Sequence, residues 1–445
     1  MHRYFTGFFF LMMMSCGTSL FAQEFSPYSR FGLGSIPDDD MSATKAMGGI
    51  TAGYSSAFHL NHANPASYAD LGLTTFEVGV NANAATVKTA DSVYNGVNGS
   101  VSHVAIGIPL IRGKWGMSFG LLPYSFVNYN ITTTQVDTNT VFSGKGSLYN
   151  VYLGTAYKIK DFSIGVNAGY LFGSIDYNYG FLFPDSVGAY NIQNQSTTRV
   201  YGFIYNIGIQ YRHRILRKTT QNSLKNDVFF TLGAQGTTNV NVHTRGSSMW
   251  ERYTGSGNDP QVFIDTPLNY ADRIGKITLP YNFSAGFTLG NENWWLVGAD
   301  FKYTGWSQFV NQASILPTWP TAGANWNLGN SWKISAGAGI VPDVDSKSFL
   351  SRIQYKIGGY YSQGELEYHT DADGPGKHMS IYGATFGVSV PILTQGIYRE
   401  AAHFHFSTDI GAMNPGVPGL ITESYYRFNF GFTLCNVWFI KRKFD

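Results

Sequence analysis

Tyr425-Tyr426-Arg427-Phe428-Asn429-Phe430-Gly431-Phe432-Thr433-Leu434 alternates without a break. Tyr426, Phe428, Phe430, Phe432 and Leu434 fall on one side, and Arg427, Asn429, Gly431 and Thr433 on the other. Side chains of a strand alternate with period two, so this is a strand with one aromatic face and one face of small and polar groups. The pattern recurs along the chain from about residue 72, and the apolar faces must be given a solvent.

In a soluble sandwich such faces would meet each other; in a membrane barrel they face lipid while the polar faces line a lumen. The candidate strands are long, roughly ten to twenty residues, against about five or six in soluble sheets and about nine to eleven for a tilted membrane strand. Aromatic residues make up 16% of the chain, with 29 Tyr and 33 Phe, as girdles at two lipid–water interfaces require. Charged residues are only 13%, about half the usual soluble share, while mean hydropathy stays at -0.11. After the N-terminus no run approaches the roughly eighteen apolar residues of a membrane helix. The fold class expected is all-β, a transmembrane antiparallel β-barrel of about 14 strands.

Residues 1–22 read as an export signal: His2 and Arg3 precede an apolar run over 4–14, and Ala22 offers a small residue for cleavage. Met13-Met14-Ser15-Cys16 fits a lipoprotein signal poorly. Removal of the signal would leave Cys435 as the single cysteine, so no internal disulfide is expected. A net charge of +2 argues against a nucleic-acid partner. Residues 72–445 carry strand signals evenly and read as one barrel domain. Residues 23–71 differ: they are rich in Gly, Ala, Ser and Asp, show no sustained alternation, and contain one candidate helical turn over 43–47. Such a segment cannot bury a core by itself; either it is a flexible leader or it packs inside something.

Candidate strands fall near 72–86, 98–111, 114–134, 141–159, 161–182, 196–214, 227–246, 274–290, 293–307, 319–329, 331–341, 350–367, 378–392, 401–412 and 422–436. These are fifteen, whereas a bacterial barrel has an even number. The weakest is 319–329, disturbed by Pro317 and Pro320, which leaves fourteen. Short turns alternate loosely with longer connections at 183–195, 247–273 and 368–377. Alternation places Phe162, Ile164 and Val166 toward lipid and Ser163 and Asn167 inward. It likewise sends Phe404 and Phe406 outward and His403, His405 and Asp409 inward.

Within 23–71, Phe31-Gly32-Leu33-Gly34, Ala46-Met47-Gly48-Gly49, Ser55-Ser56-Ala57 and Asn64-Pro65-Ala66-Ser67 stand just ahead of the first strand. This arrangement resembles the N-terminal region of the FadL/TodX-type long-chain fatty-acid transporter family of outer-membrane proteins. The resemblance implies that 23–71 is a hatch in the lumen of a fourteen-stranded barrel, with Gly32, Gly34, Gly48, Gly49, Asn64, Pro65 and Ala66 as its motif. It also implies hydrophobic substrates that bind inside and leave sideways through the wall. Pro37-Asp38-Asp39-Asp40 departs from the family pattern, and the family's ligand contacts have no match in this chain.

Asp300, Lys302, Arg352, Lys356 and Arg427 form an inward polar ladder. It reads either as a carboxylate-binding spot for a fatty-acid head group or as a network that holds the hatch, the second being favoured. His403 and His405 share a face with Asp409 and are competent metal ligands, but nothing nearby fixes a third imidazole. Asp38-Asp39-Asp40 lacks the Gly and Glu spacing of a calcium loop and reads as a solvated turn. No metal or cofactor is expected. The chain lacks a Ser-His-Asp order, a metalloprotease helix and a phosphate loop, so no enzyme is expected either.

The leading expectation is outer-membrane transport of small hydrophobic compounds such as long-chain fatty acids, with the ligand and the membrane lipid as partners. The rival is a barrel of the same shape that acts as an accessory of a protein-export or assembly complex, with other envelope proteins as partners and no ligand flux. A transporter should hold a continuous apolar pocket beside the hatch and a breach in the wall; an accessory barrel should be filled or sealed.

Overall fold

A computed structural model describes residues 26–134, 138–183, 189–217, 227–255, 262–312, 325–370, 376–393 and 401–436. The expected export signal and residues 23–25 lie outside these. Eighteen paired segments make up one sheet. β1 (Thr74–Lys88), β2 (Val93–Ile111), β3 (Trp115–Thr134), β4 (Asn139–Ile159), β5 (Phe162–Leu182) and β6 (Asn191–Arg217) are continuous. The next four staves are each interrupted once: β7 (Asp227–Thr237 and Val240–Thr254), β8 (Val262–Leu279 and Asn282–Gly290), β9 (Trp295–Thr304 and Val310–Asn311) and β10 (Trp326–Leu328 and Ser331–Ile340). β11 (Gln354–Tyr368), β12 (Lys377–Leu393), β13 (Ala401–Asn414) and β14 (Thr422–Asn436) follow.

The interrupted halves belong together because they share a neighbour: β6 pairs Ile207 with Gly236 in the first half of β7 and Tyr201 with His243 in the second. Eighteen segments therefore form fourteen staves. Each pairs antiparallel with its sequence neighbours, and β14 closes on β1 from Thr74↔Asn436 to Lys88↔Thr422. Closure satisfies the backbone groups that an open sheet would leave bare in lipid.

The stretch 319–329 is not a stave of its own. Within its described part, 325–329, Trp326–Leu328 pairs with β11 in line with Ser331–Ile340; residues 319–324 lie outside the described residues. The expected connection 247–273 is a correction, since most of it is the hairpin of β7 and β8. Register shifts at Gly246/Ser248, Trp250/Arg252 and Arg252/Tyr253 flip the alternation locally and hide these strands from a period-two reading.

Outer and inner faces follow the alternation. Phe162, Ile164, Val166, Phe404, Phe406, Phe428 and Phe430 are exposed on the outer wall, whereas Ser163, Asn167, His405 and Asn429 are buried inside. No helix among the described residues is long and apolar enough to cross a membrane; the outer apolar band belongs to strands. Where β7 to β10 are interrupted, side chains lace the wall. Tyr281 N donates to Asn239 Oδ1 (2.7 Å) and Ser307 N to Asn330 Oδ1 (3.1 Å), while Gly305 N reaches Tyr281 O at 3.0 Å.

One pair of staves parts company. β2 and β3 pair from Ile111↔Trp115 up to Val104↔Leu121 and no further. Beyond that point β3 carries a bulge at Pro123/Ser125 and turns to the hatch: Ser35 N donates to Phe126 O (2.8 Å), Phe126 N to Ser35 O (2.9 Å), and Ser26 N to Asn128 O (3.2 Å).

Candidate functional site

Residues 26–73 run through the lumen as short turns: a 3-10 turn Pro27–Arg30, a helix Ser42–Lys45 and a 3-10 turn Pro65–Asp70. None makes enough internal hydrogen bonds to hold itself, so the wall must supply partners. Asn64 begins the last turn. Its Oδ1 accepts from Ala66 N at 3.2 Å, a local Asx turn. Its Nδ2 donates to Ala52 O (2.7 Å) within the hatch and to Ile209 O (3.3 Å) and Ala234 O (3.5 Å) of the wall. Asn64 thus pins the hatch to β6 and β7, and the turn Pro65–Asp70 separates it from β1.

Close approach needs bare backbone on the wall. A Cβ at Gly233 would lie 1.8 Å from Ala52 O, one at Gly116 1.9 Å from Tyr68 O, and one at Gly208 2.0 Å from Asn64 Oδ1. The small inward residues of the strands are therefore the seat of the hatch. On the hatch side Gly48 sits at φ +69° and would set a Cβ 2.7 Å from Gly359 O; its N–H donates to Thr385 Oγ1 at 2.8 Å.

The candidate polar ladder divides. Asp300 on β9 caps the hatch, accepting from the Thr51 amide, from Ala52 N (2.7 Å) and from Thr51 Oγ1 (3.3 Å). Buried Lys356 on β11 donates to Ala43 O and to Ser389 Oγ, each at 2.7 Å. Lys302 meets Asp39 at 3.4 Å. Arg427 meets Asp409 at 3.6 Å and stacks on Tyr425, its guanidinium 4.0 Å from the ring centre. Arg352 is not part of the ladder: it ends a short helix, Phe349–Arg352, in the connection between β10 and β11, and a helical turn breaks the alternation that placed it inward.

Asp38 and Asp39 are exposed, as in a solvated turn, but the run is also paired. Each carboxylate has a cation: Asp38 meets Lys333 at 2.7 Å, Asp39 meets Lys302, and Asp40 meets Lys45 at 3.2 Å. Asp40 pairs within the hatch, while Asp38 and Asp39 latch the hatch to the wall. Asp70 ends the hatch in the same way, paired with Lys158 and with Arg212 at 3.1 Å. Burial works against its ionisation, but Arg212 and Lys158 overcome that and hold the carboxyl below its usual range.

Histidines meet where the hatch touches the wall. His59 lies 3.5 Å from Glu77 of β1 and edge-on to His403 and His405, at 4.9 and 5.0 Å between ring centres. His405 shares hydrogen bonds with Ser389 (2.6 Å) and Thr433 (3.0 Å). Asp409 stands elsewhere, accepting from Tyr360 OH at 3.0 Å. Among the described residues no group of three His, Cys, Asp or Glu could hold a metal ion.

Above the hatch lies a cavity of about 340 Å³. Asp38, Lys302, Lys333, Asp409 and Arg427 line it, and it reaches Asn98 and Ser100 at the β2–β3 break. Leu122, Pro123, Tyr124 and Phe126 of β3 line it as well, with Leu366, Met379 and Ile381 of β11 and β12. Other apolar side chains of the inner wall, Val127, Leu148, Leu171, Ile175 and Val200 among them, pack with Leu33 of the hatch into a closed cluster.

The BamG profile matches residues 1–445. The chain belongs to the BamG family. No curated protein matches it. BamG-family membership goes with a fold seen in solved barrels of low identity. The CymD monoaromatic hydrocarbon channel is 13% identical with a TM-score of 0.53, covering 92% of this chain and 99% of its own. The Pseudomonas putida toluene transporter TodX is 14% identical with a TM-score of 0.54, covering 89% and 99%. A Pseudomonas aeruginosa FadL homologue is 12% identical with a TM-score of 0.55, covering 90% and 99%. CymD and TodX are a channel and a transporter, not enzymes. At these identities the likeness is one of fold: this BamG-family chain has a FadL-type barrel.

Proposed function

We propose that this chain is a plugged, non-conducting barrel of the bacterial outer membrane that serves as an accessory subunit of an envelope protein assembly. The observation that carries this reading is the set of ties that fix the hatch to the wall, with the ion pairs Asp38–Lys333, Asp39–Lys302 and Asp409–Arg427 standing in the cavity beside it. A hydrocarbon gains about 25 cal/mol per Å² of its surface taken out of water. Lodged among Asp38, Lys333, Asp409 and Arg427, it would also strip water from ion pairs, which opposes that gain. Part of the apolar inner surface is taken up in a packed cluster, and the hatch is tied to the wall at Asn64, Asp300, Lys356, Asp38 and Asp39.

A second reading is favoured by one observation. The β2–β3 break opens beside the cavity, as sideways exit of a small hydrophobic compound or fatty acid would require, and the solved barrels of this shape include channels for monoaromatic hydrocarbons and toluene. The two readings part on what travels with the protein. Gentle extraction from native membranes, followed by mass spectrometry of both proteins and lipids, should return a defined set of envelope proteins and no stoichiometric hydrophobic ligand. One bound fatty acid or aromatic compound per chain, with no protein partner, would overturn the accessory reading in favour of transport.

A further inference from the structure

Three adjoining staves set one polar patch on the inner wall. Asn83 of β1 stands opposite Asn98 of β2 and Arg427 of β14, and Asn81 stands opposite Ser100 and Asn429. All six line the cavity above the hatch. Strands lie about 4.8 Å apart and alternate residues about 7 Å, so the patch covers roughly 10 Å by 7 Å.

Its amides are short of partners. Asn83 is 5% exposed, yet neither its Oδ1 nor its Nδ2 has a hydrogen-bond partner among the described residues. Asn81 Oδ1 and Asn98 Nδ2 are buried in the same condition. Buried polar groups are rarely left so, and each one costs stability. The wall itself does not require amides here, since Ala85, the next inward residue of β1, is buried as deeply with no polar side chain. An Asn amide turns on a soft terminal torsion, so each can be presented to a ligand in the cavity that it lines.

The lining specifies what that ligand is. An anion finds no receptor, because the cations are taken: Lys333 by Asp38, Lys302 by Asp39, Lys45 by Asp40 and Arg427 by Asp409. Of the carboxylates without a cation, Glu423 accepts from Ser26 Oγ at 2.7 Å, and Glu365 stands on β11, away from the patch beyond β12 and β13. The unpartnered atoms are both donors and acceptors, and a carboxamide sets one of each side by side. Adjacent hydroxyls of a sugar ring, each able to donate and accept, match that arrangement; an alkyl chain offers it nothing. Tyr124 and Trp332 also line the cavity, and aromatic faces suit the C–H face of a sugar ring. At about 340 Å³ the space is near the lower end of ligand pockets, about 300–1,000 Å³, which limits the length of the ligand.

We infer that the amide patch of Asn81, Asn83 and Asn98 is a binding site for a short, neutral saccharide. This goes beyond the accessory reading and does not rest on it, since a ligand held above the hatch need not pass it.

The test is calorimetric binding to the purified full-length protein, hatch intact, in a detergent without a sugar head group. The probes are maltose, cellobiose, lactose and chitobiose, with glucuronate and octanoate as anions. Wild type is compared with Asn83→Leu and Asn98→Leu, each checked for heat-modifiable migration and thermal midpoint; Asn98→Leu, at the less buried position, carries the comparison if Asn83→Leu does not assemble. The expected result is saturable binding of at least one disaccharide at about one per chain, at least tenfold tighter than either anion. The Leu variants should lose that affinity at least tenfold, while their midpoints hold or rise because an unpartnered buried amide has gone. Wild type that binds none of the disaccharides would overturn the inference, as would undiminished affinity in the Leu variants. Lost binding together with a lowered midpoint would make the amides part of the fold and not of a site, and glucuronate bound as tightly as the disaccharides would overturn the neutral class.

Discussion

The carboxylate of Asp300 on β9 accepts a hydrogen bond from the amide of Ala52 in the hatch at 2.7 Å, and the neighbouring Thr51 amide shares the same oxygen. A wall strand thereby performs for the hatch what a helix cap performs for a helix. Asp300→Ala should leave two buried N–H groups without an acceptor, at a cost of about 1–3 kcal/mol for each such group. Asp300→Asn keeps one acceptor and should lose less. The readout is influx of a small hydrophilic antibiotic in cells with matched barrel levels: Ala above Asn above wild type. Equal influx in all three would mean that the hatch is held without Asp300.

Gly233 tests the seat from the wall. A Cβ there would lie 1.8 Å from Ala52 O, and backbone cannot retreat as a flexible side chain can. Gly233→Ala should undock the hatch while the barrel still migrates as a folded species, seen as faster proteolysis within residues 26–73. Gly180→Ala is the control, since its Cβ would rest 3.5 Å from Ile192 O, an ordinary contact. Equal proteolysis of the two variants would place the hatch elsewhere.

What the sequence revealed and what it hid have physical causes. Period-two alternation is local, so Phe428, Phe430 and Asn429 could be assigned faces from their neighbours alone. Asn64-Pro65-Ala66 could be read as a turn for the same reason. Asp38 and Asp39 could not be understood locally, because their lysines lie 295 and 263 residues away. Arg352 was misplaced by a helical turn, and the β7–β8 hairpin by bulges that reset the alternation. Asn167 shows a finer limit. Its inward direction is legible, but not its grip on the hatch: it donates to His62 O (2.9 Å) and accepts from Tyr68 OH (3.0 Å).

The latch of Asp38 and Lys333 should behave as a paired charge in a water-filled space, weakened by salt. Lys333→Asp should place two carboxylates together and raise influx, and adding Asp38→Lys should bring it back toward wild type. Failure of the double exchange to restore tightness would mean that Lys333 acts through packing, including its contact with the Tyr360 ring at 4.4 Å.

His62 predicts a pH dependence. Both its ring nitrogens are buried without a hydrogen-bond partner, and the ring packs edge-on to Tyr152 at 4.3 Å between centres. Burial holds its pKa below the ordinary 6.5, with Asp39 pulling weakly the other way. A base with a depressed pKa binds fewer protons when docked, so its share of hatch stability is present above pH 6.5 and is lost as pH falls. His62→Phe keeps the aromatic contact and should remove about one proton from the uptake that accompanies undocking. The check is the midpoint of hatch proteolysis between pH 8 and pH 5 in the two proteins. An unchanged slope would show that His62 is not the titrating group.

The central claim is that the lumen takes no hydrophobic cargo, and ligand binding tests it most directly. Equilibrium dialysis of the purified, hatch-intact protein against a labelled long-chain fatty acid and against toluene, with a hydrocarbon channel of the same fold as positive control, gives a stoichiometry for each. The account predicts no saturable binding to this chain under conditions where the control saturates. Saturable binding at about one per chain, abolished by Lys333→Asp or Arg427→Ala, would place cargo in the charged cavity and contradict it.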